Sequence, residues 1–383
     1  MILCRVLRKL AGRNFFRALF FLELCCLLAP QKSSADQLST WTSQTSGVTN
    51  DFYAVAYGNG KFVAVGLGGQ LCSSPDGASW TPQTSGTTNN LEGLVYGNGF
   101  FVAVGGNGTV LTSTNGTDWV SHPPDFASAY HAVTYGNGLY VAVGFGGTIK
   151  ISTNANNWSL SSSPTTNSLH AVILANGKYV VSGFGGAILT STDGTNWTSQ
   201  VSGSSNALHA LAYGAGKYVV AGFTGDLLTS PDGVTWTSQS SGTVSSLRGA
   251  IYTNGNFVVT GFHGDIISST DGTNWIARSS GVIDALRDLT YGSGAFVTVG
   301  HNGRILRTAS LVAPIITNMI FSGNTAGFSF VTANGLTYRI EYKNTLSAPT
   351  WTPLYTVSGS GGLIAINDPT ATVPSRFYRV GVE

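Results

Sequence analysis

Short apolar runs, rather than helical stripes, organise this chain. They alternate with clusters of Gly, Asn, Asp, Ser and Thr, and the same order returns every 39 residues, marked by Trp41, Trp80, Trp119, Trp158, Trp197, Trp236 and Trp275. KFVAVG at Lys61 recurs as FFVAVG, LYVAVG, KYVVSG, KYVVAG, NFVVTG and AFVTVG. YGNG or a relative starts at Tyr57, Tyr96, Tyr135, Tyr213, Tyr252 and Tyr291, with Leu174 in the remaining slot. A repeat held without insertion or deletion points to one supersecondary unit stacked on copies of itself.

Each unit offers four short strands and no helix signal. In the first they are Phe52–Tyr57, Phe62–Gly66, Gln70–Ser73 and Trp80–Gln83, punctuated by Gly-Asn-Gly, Gly-Gly and Asp-Gly turns. The second strand is apolar at every position, the pattern of a strand buried on both faces. Four strands in about 40 residues describe one blade of a β-propeller. The expected fold is therefore all-β, a seven-bladed propeller over residues 41–313. The last unit lacks its own Trp strand, because Pro314 occupies that place. Trp41–Gln44 is expected to pair with Arg304–Thr308 and close the ring, which removes free sheet edges.

Beyond Pro314 the period stops. Six strands are expected, Ile315–Phe321, Gly327–Val331, Thr337–Tyr342, Trp351–Val357, Leu363–Asn367 and Phe377–Val382, making residues 314–383 a small β-sandwich with Tyr338, Trp351 and Tyr378 in its core.

Particular motifs carry two resemblances. SSPDGASW (Ser73–Trp80), TSTNGTDW, ISTNANNW, TSTDGTNW, TSPDGVTW and SSTDGTNW resemble the Asp-box, or BNR, repeats of sialidase-like propellers. The unit as a whole is similar to that of the photosystem assembly factors of the Ycf type. The likeness spans Trp41–Ala313 and implies the propeller fold, with the boxes away from any active site. The turn carboxylate or amide falls at Asp76, Asn115, Asn154, Asp193, Asp232 and Asp271. Asn at two of the six speaks for a turn cap rather than for a charge-dependent role. TYRIEYKNTL, WTPL and RFYRV resemble C-terminal fibronectin-like modules of large secreted bacterial proteins, which implies sorting or attachment.

Charge and cysteine use narrow the setting. The 383-residue chain is formally +2, but residues 1–35 hold six of its 19 bases and one of its 17 acids. The remainder of the chain is mildly acidic, with no run of like charge, so no nucleic-acid surface is expected. Basic Met1–Arg17, apolar Ala18–Leu28 and small Ser33-Ser34-Ala35 read as a signal peptide (1–35). That implies a secreted, periplasmic or cell-surface protein with no membrane span after cleavage. Cys4, Cys25 and Cys26 leave with the leader, and Cys72 is read as core filler. A monomer without cofactor is expected.

Positions that vary inside a fixed unit are the candidates for function. One series, just inside the first strand, reads Tyr53, Glu92, His131, His170, His209, Arg248 and Arg287. Another, in the turn after the second strand, reads Leu67, Gly106, Phe145, Phe184, Phe223, Phe262 and His301, and just beyond it stand Gln70, Thr109, Thr148, Ala187, Asp226, Asp265 and Arg304. Propeller topology puts all three on one face, at the channel mouth. Imidazoles, guanidiniums and a phenyl rim (Phe145, Phe184, Phe223, Phe262, with His301) suit a glycan or a protein segment. A non-catalytic binding or scaffold module is the leading expectation. The alternative is a carbohydrate-active enzyme, a sialidase-like glycosidase or a lyase. It would use Arg248, Arg287 and Arg304, the carboxylates Glu92, Asp265, Asp284 and Asp288, and Tyr53. Solvated imidazoles are expected at His131, His170 and His209 in preference to a metal held by all three.

Overall fold

A computed structural model describes residues 37–123, 128–310, 316–322, 325–332, 337–345, 347, 350–360, 362–371 and 376–382. The expected leader (1–35), its three cysteines and Pro314 lie outside these residues. The chain divides into two compact units, Gln37–Val312 and one that holds Ala313–Glu383.

Among the described residues the first unit consists of seven four-stranded antiparallel sheets and contains no α-helix. In the first sheet the strands are Phe52–Gly58, Lys61–Gly66, Leu71–Ser74 and Thr81–Pro82. Asn59 and Gly60 join the first two strands with φ of 45° and 72°, the left-handed pair that a tight hairpin needs and that Asn-Gly supplies cheaply. Phe62, Val63, Ala64 and Val65 are wholly buried, as a strand covered on both faces must be. The turn after it is a short 3-10 turn, Leu67–Gly69, repeated in every sheet. Trp80 closes the following turn rather than joining the outer strand, and its Nε1–H donates to Gly77 O at 2.9 Å.

Sheets pack through the YGNG motif. A Cβ on Gly58 would fall inside the Tyr96 ring, as would one on Gly97 inside Tyr135, so each glycine makes room for its neighbour's aromatic ring. The inner strands, Phe52–Gly58, Leu91–Gly97, Tyr130–Gly136, Leu169–Ala175, Leu208–Gly214, Leu247–Thr253 and Leu286–Gly292, each lie against the next, and the last lies against the first. There Tyr57 packs on Gly292, and Val55 N–H donates to Asp288 Oδ2 at 2.9 Å. Trp41–Gln44 pairs with Ile305–Thr308, Trp41 opposite Thr308. Cys72 is buried, and desolvation pushes its thiol up to about 12.

Among the described residues the second unit has two three-stranded sheets. One orders Thr317–Ser322, Thr325–Val331 and Leu363–Asp368; the other orders Thr352–Ser358, Thr337–Lys343 and Phe377–Val382. Rings meet between them, Phe328 with Tyr378 at 5.1 Å and Phe330 with Tyr338 at 5.5 Å. Buried Asp368 accepts from Arg376 (2.7 Å) and from the Tyr378 hydroxyl (2.6 Å). Trp351 is not in this core, contrary to expectation. It precedes its strand and lies half-buried against Lys343 and Arg379, where ring and cation attract.

Candidate functional site

The seven residues of the first variable series occupy one structural position, a β-bulge. In the first sheet the register slips between Phe52 and Ala54, leaving Tyr53 without a partner. The same slip isolates Glu92, His131, His170, His209, Arg248 and Arg287. A bulge re-aims the extra side chain away from the regular pleat. All seven line one cavity of about 280 Å³. The bulge depends on the glycine that ends KFVAVG. A Cβ on Gly66 would sit 1.9 Å from Asp51 O, so only glycine lets the chain come this close.

Around the cavity wall the polar groups form a graded series. His131 Nδ1 lies 2.6 Å from Glu92 Oε2. The imidazoles then follow one another, His131 to His170 at 5.1 Å and His170 to His209 at 4.7 Å between ring centres. Arg248 donates to His209 Nδ1 at 3.4 Å, and Arg287 donates to His301 Nε2 at 2.7 Å. Accepting from a guanidinium requires a neutral ring nitrogen. Desolvation, with Arg248 and neighbouring imidazoles adding to it, holds His170 down to about 4 and His209 down to about 3. Burial and the nearby Arg287 lower Arg248 to about 10. Burial raises Tyr53, against the opposing pull of Arg287, whose guanidinium lies over its ring at 4.9 Å.

The rim divides into two parts. Phe145, Phe184 and Phe223 stand on consecutive 3-10 turns, 65%, 59% and 49% exposed. Phe262 instead lies against the guanidiniums of Arg248 (4.8 Å) and Arg287 (5.8 Å). His301 is held between Arg287 and Asp51, whose Oδ2 is 3.5 Å from its Nε2. Leu67 is exposed and Gly106 contributes no side chain.

Several other expected groups are occupied elsewhere. Arg304 pairs with Asp284 at 2.6 Å and reaches Ser43, so two arginines rather than three line the cavity. Asp226 accepts from Ser204, Asp265 from Thr243 at 2.5 Å, and Asp288 from two backbone N–H groups. Glu92 is the cavity's carboxylate among the described residues. No group of three His, Cys, Asp or Glu among them is arranged to hold a metal ion. The turn carboxylates cap their own turns: Asp232 Oδ1 accepts from Val234 N–H (2.9 Å) and Thr235 N–H (2.8 Å), bonds that lower it to about 2. Among the described residues no helix is long and apolar enough to cross a membrane.

No family model and no curated protein matches the chain. Solved structures do. YCF48 bound to a D1 peptide superposes with a TM-score of 0.60 at 19% identity, covering 70% of this chain and 96% of that one. YCF48 from Cyanidioschyzon merolae gives 0.58 at 16%, covering 70% and 98%. A catalytically inactive virginiamycin B lyase from Staphylococcus aureus, solved with quinupristin, gives 0.63 at 11%, covering 70% and 98%. The fold is a β-propeller. At these identities the likeness carries the fold and leaves chemistry to the residues.

Proposed function

We propose that the propeller is an exported, non-catalytic binding module that holds a polypeptide segment on the face bearing the seven bulge residues. The observation that carries this reading is the pairing of a polar well with an exposed apolar arc, Phe145, Phe184 and Phe223, on neighbouring turns of that face. Exposed phenyl rings grouped beside hydrogen-bonding side chains suit a partner that brings both. The YCF48 structure with a D1 peptide supports the same use of a related fold. A glycan is the second reading, favoured by the imidazoles beside those rings. In this reading residues 1–35 are a leader and the mature chain begins at Asp36. The C-terminal sandwich is a fibronectin-like attachment module.

Peptide and glycan arrays probed with the protein and with a Phe184→Ser/Phe223→Ser double variant test it. Both side chains are exposed, so the variant keeps its melting temperature. Selective peptide capture, reduced at least about tenfold in the variant, is the expected result. Capture of glycans alone favours the second reading. Absence of capture on both arrays, or equal capture by the variant, overturns the assignment to this face.

A further inference from the structure

Among the described residues, two cations in the cavity have no carboxylate partner. Arg248 and Arg287 lie on adjacent sheets against one Phe262 ring, at 4.8 and 5.8 Å. Their hydrogen-bond acceptors are uncharged imidazole nitrogens, those of His209 and His301. The Nε atom of each is buried and has no acceptor among the described residues. The carboxylates within reach are engaged otherwise: Glu92 with His131, Asp51 with Asn302 N–H, Asp284 with Arg304. A buried donor without an acceptor is costly, and a buried cation without an anion more so. The arrangement therefore leaves two partly buried positive charges that an anionic ligand can neutralise.

We infer that the Arg248–Arg287 pair anchors a tetrahedral oxyanion of two negative charges, a phosphate group either free or as a monoester. Two adjacent guanidiniums present two forks of N–H donors and a charge of +2. A planar carboxylate of charge −1 neutralises half of that, whereas a phosphate dianion neutralises all of it and offers three oxygens to the forks. The cavity of about 280 Å³ has room for more than the ion, so the opposite wall, Glu92 and the imidazoles, can meet hydroxyl groups on a monoester's body. This deepens the reading of that face as a binding surface and rests on the cavity being open to ligand.

Isothermal titration of the full chain with inorganic phosphate, glucose 6-phosphate and acetate tests the inference. One phosphate or phosphate monoester per chain is expected, with acetate at least about tenfold weaker. Arg248→Gln and Arg287→Gln each weaken binding at least about tenfold, while Arg248→Lys, which keeps charge but loses the fork, falls between. Arginine Nε–H resonances of the unaltered protein give a readout independent of variant folding: two of them shift on adding phosphate. Tighter binding of inorganic phosphate assigns the free ion, and tighter binding of glucose 6-phosphate assigns the monoester. No binding of either, acetate binding as tightly, or Nε–H resonances that stay fixed overturns the inference. Peptide capture through Phe184 and Phe223 without phosphate binding leaves the binding-module reading standing and removes this one; phosphate binding without peptide or glycan capture does the reverse.

Discussion

Asp288 stands where the last inner strand lies against the first. The equivalent positions in the other sheets are Ala54, Gly93, Ala132, Ala171, Ala210 and Gly249, so nothing in the repeat demands a carboxylate here. Part-buried as a residue, it places its carboxyl group deep enough for desolvation to raise it to about 7, although Val55 N–H and Leu289 N–H (2.9 and 2.8 Å) favour the ionised form. A folded-state value above the unfolded one means that the native state binds the proton more tightly. Its stabilisation is complete below about pH 4 and is lost as pH rises through about 7. His170 and His209, held down to about 4 and 3, act in the opposite sense between pH 4 and 6.5, gaining stability as pH rises. Urea melts of the protein and of Asp288→Asn at pH 4, 5.5 and 7 separate them. The difference in stability between the two proteins shifts in favour of Asp288→Asn as pH rises; a difference constant across that range refutes the assignment.

At the scale of the element, the bulge turns a repeat into a site. A regular strand would alternate its side chains between the two sheet faces. One extra residue, set opposite a glycine that lies on a carbonyl oxygen, frees seven side chains from that alternation. Gly300 is extended, with φ −175°, so its conformation is open to any residue and only space forbids a side chain. A Cβ there would lie 1.9 Å from Ala285 O. Gly300→Ala is expected to destabilise the propeller by about 1–3 kcal/mol, the range for overpacking. It also displaces Arg287, two residues from that carbonyl. Denaturant midpoints measure the first effect and phosphate titration the second. The strand-forming runs were legible from their apolar pattern, and the turns from Asn-Gly and Asp-Gly. The bulge was not, because register depends on which residue faces which across the sheet.

At the scale of the molecule, the N-terminal strand and the end of the repeat make one sheet from the two ends of the first unit. Leu38 and Trp41 are buried in that contact, and Gln37 Nε2 donates to Gly294 O at 2.6 Å and Ala309 O at 2.7 Å. A protein beginning at Thr45 leaves Ile305–Thr308 as an exposed edge. Lower thermal stability and self-association through that edge are the expected outcome, measured by thermal melts and light scattering after size exclusion. A monomer that melts at the original temperature would contradict this role.

The 39-residue period, the apolar second strand and the Asn-Gly turns determined by themselves an all-β chain of repeated four-stranded units. Local pattern is enough for this, since each unit repeats the same burial and turn chemistry. The same spacing placed the seven variable residues in one layer. Only the tertiary structure decided that they share one cavity, that Arg304 is drawn off to Asp284 while Arg248 and Arg287 have no anion among the described residues, and that Phe262 lies against those guanidiniums. Those outcomes are set by which groups from distant units come within a few ångströms, and a linear sequence does not encode distance between residues that meet only when the sheets pack.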